Sequence, residues 1–306
     1  QTLLRPAQKS PIDIQPKAVM LKYEHLESHQ KTAVNQNELD VIINVMKNWL
    51  TIAVLSLLIS SNALAKYPFL IYYGETATQK EIEGYKIAVL ESEHYPDVKK
   101  FKTVTLAYIS IGEVENFRAH YPKLASMGLL GERNPNWPES RYVTLKGGEW
   151  EKILLKELIP SVVSKGYRGV FLDTADSLFE GKNNKDDIVS FINSVKKTYP
   201  HLLVMVNRGF EVVSRLNVDA VLFESTITTI DKNKKHIYQP DFSLKIPKKI
   251  AVFSCDYWDQ NDTEGVKNIY KKALEKKYTP LVTDFSLQKM PKVNYDDSKK
   301  TFTVGR

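Results

Sequence analysis

The chain has 306 residues, 42% of them hydrophobic, a formal net charge of +7 and one cysteine, Cys255. That length allows a well-buried core, and a single thiol excludes an intramolecular disulfide. The positive charge is spread along the chain, and its densest run, "KNKK" at 232–235, reads as a solvated loop, so no nucleic-acid partner is expected.

Residues 1–45 are polar and lack a sustained apolar period, which predicts a disordered or spurious extension. From Met46 the sequence reads "MKNWLTIAVLSLLISSNALA". Lys47 gives a positive start, residues 50–59 a short apolar stretch, and Ala63-Leu64-Ala65 a small-residue cleavage site. These are the three parts of a secretory signal peptide. The apolar stretch is shorter than the roughly 20 residues of a membrane span. We expect synthesis from Met46, a signal peptide over 46–65 cleaved after Ala65, a periplasmic or secreted product, and no stable membrane span after cleavage. The competing reading is an uncleaved anchor.

Residues 66–306 are then expected to form one domain. Its candidate strands are "FLIYYG" (69–74), "KIAVLE" (86–91), "VTLAYISIGE" (104–113), "GVFLD" (169–173), "LLVMVN" (202–207), "DAVLFE" (219–224), "KIAVFS" (249–254) and "TPLVTDF" (279–285). Most are continuous apolar runs, as parallel strands buried on both faces require. Helical patterns lie between them. In 149–166, Ile153, Leu154, Leu158 and Val162 share a face, Pro160 predicts a kink and Gly166 a stop. In 185–200, acids come first and Lys196 and Lys197 last, complementing the helix dipole. In 262–277, Val266, Ile269, Tyr270 and Leu274 repeat the plan.

This alternation predicts an α/β fold, a single-domain (β/α)8 TIM-type barrel, whose typical length is about 250 residues. An open doubly wound sheet is the alternative; eight strands and no dinucleotide fingerprint favour the barrel. The connection from Asn116 to Gly148 is expected to be a long loop walling a cleft. The tail from Pro291 reads as peripheral.

A barrel of this kind carries its site at the C-terminal strand ends. In turn these offer Tyr72, Tyr73 and Gly74; Glu91; Ser110, Gly112 and Glu113; Asp173 and Asp176; Asn207 and Arg208; Glu224 and Ser225; Asp256, Tyr257 and Trp258; and Asp284. Carboxylates, amides and aromatic rings on one face suit a sugar. Hydrolysis of a glycosidic bond needs two carboxyl groups, one to protonate the leaving oxygen and one to attack the anomeric carbon or activate water. Asp173 and Glu224 are the candidate pair; capping or ion pairing is the alternative for Asp173. Tyr72, Tyr108, Glu113, Asp176, Asn207, Asp256, Tyr257 and Asp284 are the candidate substrate contacts. Glu91 is a weaker candidate, and Trp137 and Trp150 fit loop packing or sugar platforms equally. His94, His120, His201 and His236 form no metal-ligating pair. No phosphate loop or nucleophile elbow is present. No metal and no cofactor are expected.

"LAYISIGEVENFR", "NPNWPES", "GYRGVFLDTAD", "VMVNRG" and "AVLFES", in that order, resemble glycoside hydrolase family 114. That group includes endo-α-1,4-polygalactosaminidases and the hydrolase domain of Pel polysaccharide proteins. The resemblance runs from about Tyr72 to Asp284. It implies a (β/α)8 barrel that cleaves α-1,4-linked galactosamine or N-acetylgalactosamine polysaccharide with retention. It implies Asp173 as nucleophile and Glu224 as acid/base, with Tyr108, Glu113, Asp176 and Asn207 along the cleft. One departure is Arg168 in "YRGVFLD", where the family often has "DG", a change expected to alter local charge. The implied partner is an amino-sugar glycan; a monomer is expected. Retention predicts carboxyl groups about 5–5.5 Å apart, against about 6.5–9.5 Å for inversion.

Overall fold

The structure, a computed structural model, describes residues 68–230, 235–238, 246–296 and 299–304. The expected extension over 1–45 and signal peptide over 46–65 lie outside the described residues. Eight parallel strands form one sheet: β1 Phe69–Tyr72, β2 Ile87–Leu90, β3 Val104–Ser110, β4 Gly169–Asp173, β5 Leu203–Asn207, β6 Ala220–Glu224, β7 Ala251–Tyr257 and β8 Thr279–Thr283. Each pairs with the next in chain order, and β8 returns beside β1. Above that seam the Tyr73 amide donates to the Leu287 carbonyl at 2.7 Å. The sheet is the expected (β/α)8-type barrel.

Side chains alternate between two cores. Phe69, Ile71, Val89, Leu106, Phe171, Met205, Leu222, Phe253 and Leu281 fill the interior. Leu70, Ala88, Ala107, Val170, Leu172, Val204, Val206, Val221 and Phe223 face outward into the surrounding layer. Both faces are dry, which is why the strands read as unbroken apolar runs. Each fully buried Leu or Phe contributes about 1.5–3 kcal/mol.

Helix cover comes from three places. After β3 the chain is helical over Glu149–Ile153, π-helical over Leu154–Leu158 and helical again over Ile159–Ser164. The π turn is the form the expected kink takes. Pro160 has no amide to give the fourth carbonyl back, and the Ile159 amide reaches five residues back to Leu154. Gly166, at φ +98°, ends the run. Helix α1, Lys185–Thr198, starts on Asn184, whose side chain accepts from the Asp187 amide. Helix α2, Thr263–Glu275, starts on Asp262 in the same way, through the Gly265 amide. Between β1 and β2 there is one turn, Gln79–Ile82, and between β2 and β3 no helix.

Four expectations need correction. The third strand does not run to Glu113. It stops at Ser110, because Gly112 is pressed against the loop after β4, where a Cβ would lie 2.0 Å from the Thr174 carbonyl oxygen. The connection over 116–148 is no plain loop. It builds an antiparallel sheet of Glu113–Glu115, Ser140–Val143 and Leu130–Arg133, with a helix over Tyr121–Ser126. The seventh strand extends to Tyr257. The tail is not peripheral: Val293–Asp296 and Thr301–Val304 form a hairpin against α2, with Val293 buried, the Tyr270 and Phe302 rings 5.9 Å apart, and the Tyr85 hydroxyl donating to Asn294 at 2.9 Å.

Candidate active site

Three adjacent strands end on the three residues that define the site: Asp173 on β4, Asn207 on β5 and Glu224 on β6. Each shares the inward register of its strand, two residues above Phe171, Met205 and Leu222. One amide nitrogen joins them. Asn207 Nδ2 donates to Asp173 Oδ1 at 2.7 Å and to Glu224 Oε1 at 2.6 Å. Those bonds laid end to end bound the separation of the two oxygens at 5.3 Å. The carboxylates only accept, so the amide must turn its nitrogen to them, and its oxygen is left buried with no partner among the described residues. The second Glu224 oxygen accepts from the Tyr257 hydroxyl at 2.8 Å.

The backbone just past these residues repeats one device. Thr174, Arg208 and Ser225 are left-handed, at φ +62°, +62° and +54°. None is glycine, so each conformation costs of order 1 kcal/mol. The turn is held by hydrogen bonds: the Thr174 amide to Asp173 Oδ1 at 2.7 Å, the Arg208 amide to the Leu222 carbonyl at 2.8 Å, and the Ser225 amide to the Cys255 carbonyl at 2.8 Å. The strand is ended abruptly, with its last side chain left at the mouth.

Burial pushes the Asp173 carboxyl up to about 6, and the neighbouring Glu224 charge adds to the effect. Hydrogen bonds from Asn207, the Thr174 amide and Tyr108 oppose the rise. The phenols of Tyr73, Tyr108 and Tyr257 are pushed well above their usual 10, mainly by burial, so they remain neutral donors. Burial also raises the Cys255 thiol, which leaves it an inert part of the core.

The other expected contacts divide by strand register. Tyr257 is inward and touches Glu224. Tyr108 is inward and stabilises the Asp173 carboxylate. Tyr72 is not in the cleft: it faces outward, is buried, and its hydroxyl serves Thr76 and the Ala77 amide. The inward tyrosine is Tyr73, 4.9 Å ring to ring from Tyr108, which counting in twos from Phe69 would have selected. Asp256 also points away from the mouth. It is buried and accepts from the Thr226 hydroxyl at 3.0 Å and the Ile227 and Thr228 amides at 2.7 and 3.0 Å, anchoring the loop after Glu224. Asp284 is turned to its own loop, accepting from the Ser286 amide at 2.8 Å and from the Ser286 hydroxyl. Glu113 is buried and accepts from Asn134 at 2.6 Å, with burial raising its pKa. Asp176 ties two rim loops together through Arg208 Nε at 2.6 Å and the Gly209 amide at 2.9 Å.

Glu91 is bound by Arg118 at 2.8 Å, and Trp150 is a core residue whose ring nitrogen donates to the Ile111 carbonyl. Arg168 lies at the opposite end of its strand from the pair, donating to the Phe101, Lys102 and Thr103 carbonyls, so its charge does not reach the pair. A cavity of about 190 Å³ shares the Tyr108 wall with the site, and its lining includes Glu91, Arg118, His120, Ser161 and Lys165. Among the described residues no group of three or more His, Cys, Asp or Glu is placed to hold a metal ion.

Comparison with known proteins agrees with this architecture. The glycoside hydrolase domain of PelA from Pseudomonas aeruginosa superposes with a TM-score of 0.60 at 22% identity, over 73% of this chain and 97% of that one. Ega3 from Aspergillus fumigatus, solved in complex with galactosamine, superposes with a TM-score of 0.53 at 14% identity, over 78% and 94%. An uncharacterized protein of Methanocaldococcus jannaschii, MJ1477, is 30% identical over 114 residues, so the match spans 34% of this chain and about a third (31%) of that relative. The profile of glycoside-hydrolase family GH114 matches residues 60–300. With that match across most of the sequence and a paired-carboxylate barrel beneath it, the chain belongs to GH114, a family of glycoside hydrolases.

Proposed function

We propose that the protein is an exported, retaining endo-glycosidase that cleaves α-1,4-linked galactosamine or N-acetylgalactosamine polysaccharide. The observation that carries this reading is the Asn207 amide bridging Asp173 and Glu224 at the barrel mouth, with their facing oxygens no more than 5.3 Å apart. A retaining pair stands about 5–5.5 Å apart, and an inverting pair needs room for a water, about 6.5–9.5 Å. Asp173 attacks the anomeric carbon while Glu224 gives its proton to the departing glycosidic oxygen. Glu224, now a carboxylate, takes a proton from water; the water oxygen displaces Asp173 and restores both groups. Asn207 holds the two carboxyl groups in register throughout. The choice of amino sugar rests on the family and on the galactosamine bound in the Ega3 complex. Export rests on the sequence of residues 46–65; among the described residues no helix is long and apolar enough to cross a membrane.

The test is digestion of acetylated and de-N-acetylated galactosaminoglycan, with reducing ends counted and products weighed by mass spectrometry. Wild type should release oligosaccharides whose first-formed anomer is α. Asp173→Asn should lose at least about a thousandfold in kcat while folding normally. Wild-type rates in that variant, or a β first product, would refute the assignment. Amino-terminal sequencing of the exported protein should begin at Lys66.

A further inference from the structure

Phe285 is 54% exposed, yet the turn that carries it is unusually well held. Asp284 accepts from both the amide and the hydroxyl of Ser286. Leu287 is buried in the barrel interior, and its carbonyl accepts from the Tyr73 amide at 2.7 Å. Phe285 thus sits at the tip of a turn fixed on both sides. It lies two residues beyond Thr283, the last residue of β8, which pairs with Tyr257. Its ring meets the Tyr257 ring edge to face at 5.1 Å, and Tyr257 donates to Glu224. β8, the strand that leads into this turn, lies four places from that of Asp173 and two from that of Glu224 in an eight-strand sheet.

We propose that Phe285 is the platform for the sugar on the leaving-group side of the scissile bond. This rests on the roles given above to Asp173 and Glu224. The acid/base stands on the side from which the leaving sugar departs, and Phe285 is one ring beyond it. An aromatic face is electron-rich, and a galacto-configured pyranose, with its axial O4 turned to one side and carrying the scissile bond, offers positively polarised C–H groups along its C3–C6 edge on the other. A rigid turn presents that face without an ordering cost on binding.

The experiment compares wild type, Phe285→Ala, Phe285→Trp, Asp284→Ala and Val304→Ser on two substrates: the galactosamine polymer, and α-galactosaminyl fluoride, whose leaving group has no ring to stack. Phe285→Ala should raise KM for the polymer about five- to tenfold and leave kcat/KM for the glycosyl fluoride within about twofold. Phe285→Trp should restore the polymer KM. Asp284→Ala, which frees the turn, should show part of the defect, and Val304→Ser, an exposed apolar residue on the tail hairpin, none. An unchanged polymer KM in Phe285→Ala overturns the platform alone, and so does an equal loss on both substrates. Wild type inactive on both substrates overturns the proposed function itself, and the platform with it.

Discussion

Asp173 is an acid whose pKa rises on folding, from 3.8 to about 6, and two consequences follow. The folded state holds this proton more tightly than the unfolded chain, so the group's contribution to stability is full below pH 3.8 and is lost as pH rises to about 6. Asn cannot ionise. Asp173→Asn should therefore be more stable than wild type at pH 7, by no more than about 3 kcal/mol, and the gap should close as denaturation is repeated toward pH 4. In the proposed mechanism Asp173 must be ionised to attack, so kcat/KM should fall on the acid side below about pH 6, a midpoint that belongs to the coupled pair. Asn207→Ala removes a bond that favours the charged form. Its acid limb should move to higher pH and its kcat should drop. An unmoved limb would mean that Asn207 does not set the charge of the pair.

The two neighbouring tyrosines give a second residue-level prediction. Tyr72→Phe strands the polar partners of a buried hydroxyl, which should cost about 1–2 kcal/mol in urea melts with kcat unchanged. Tyr73→Phe should do the reverse, lowering kcat/KM at least about tenfold at constant stability. The strand-end positions of Asp173, Asn207 and Glu224 were legible because each closes an unbroken apolar run. Tyr72, Asp256 and Asp284 were misplaced because a strand end read without its register shows residue types but not the face they occupy.

At the scale of elements, Gly112 joins β3 to the loop after β4. Its neighbour Ile111 donates to the Asp173 carbonyl, and its own amide donates to Thr174 Oγ1 at 2.9 Å. Gly112→Ala drives a methyl group into the Thr174 carbonyl. It should cost more than about 2 kcal/mol by thermal melting, and surviving protein should be nearly inactive because Thr174 carries Asp173 with it. The long helices were legible because α1 and α2 keep an apolar face, capping residues and ordered charges. The antiparallel insert was not: "LGER" and "SRYV" are four-residue strands, too short for a period of two to stand out from a loop.

For the whole molecule, the tail hairpin acts as a brace. Val293 is buried, and Tyr270 and Tyr85 both hydrogen-bond to this segment. Deleting residues 292–306 should lower Tm by roughly 5–10 °C without altering the pH dependence of the reaction, since none of the groups around Asp173 and Glu224 is removed. Equal melting of the two forms would show that the hairpin bears no weight. The barrel itself could be read from eight apolar segments and their spacing. The brace could not, because its two strands are short, polar on one face and separated from α2 only by the last barrel strand.

The repeated left-handed step after β4, β5 and β6 has a use beyond holding three side chains. It makes Asp173, Asn207 and Glu224 the final residues of a shared frame, and the rim segments that begin at Thr174, Arg208 and Ser225 separate attachments to it. Rim segments exchanged with distant GH114 members at those three junctions should transplant glycan preference while the cleavage chemistry travels intact with the staves beneath.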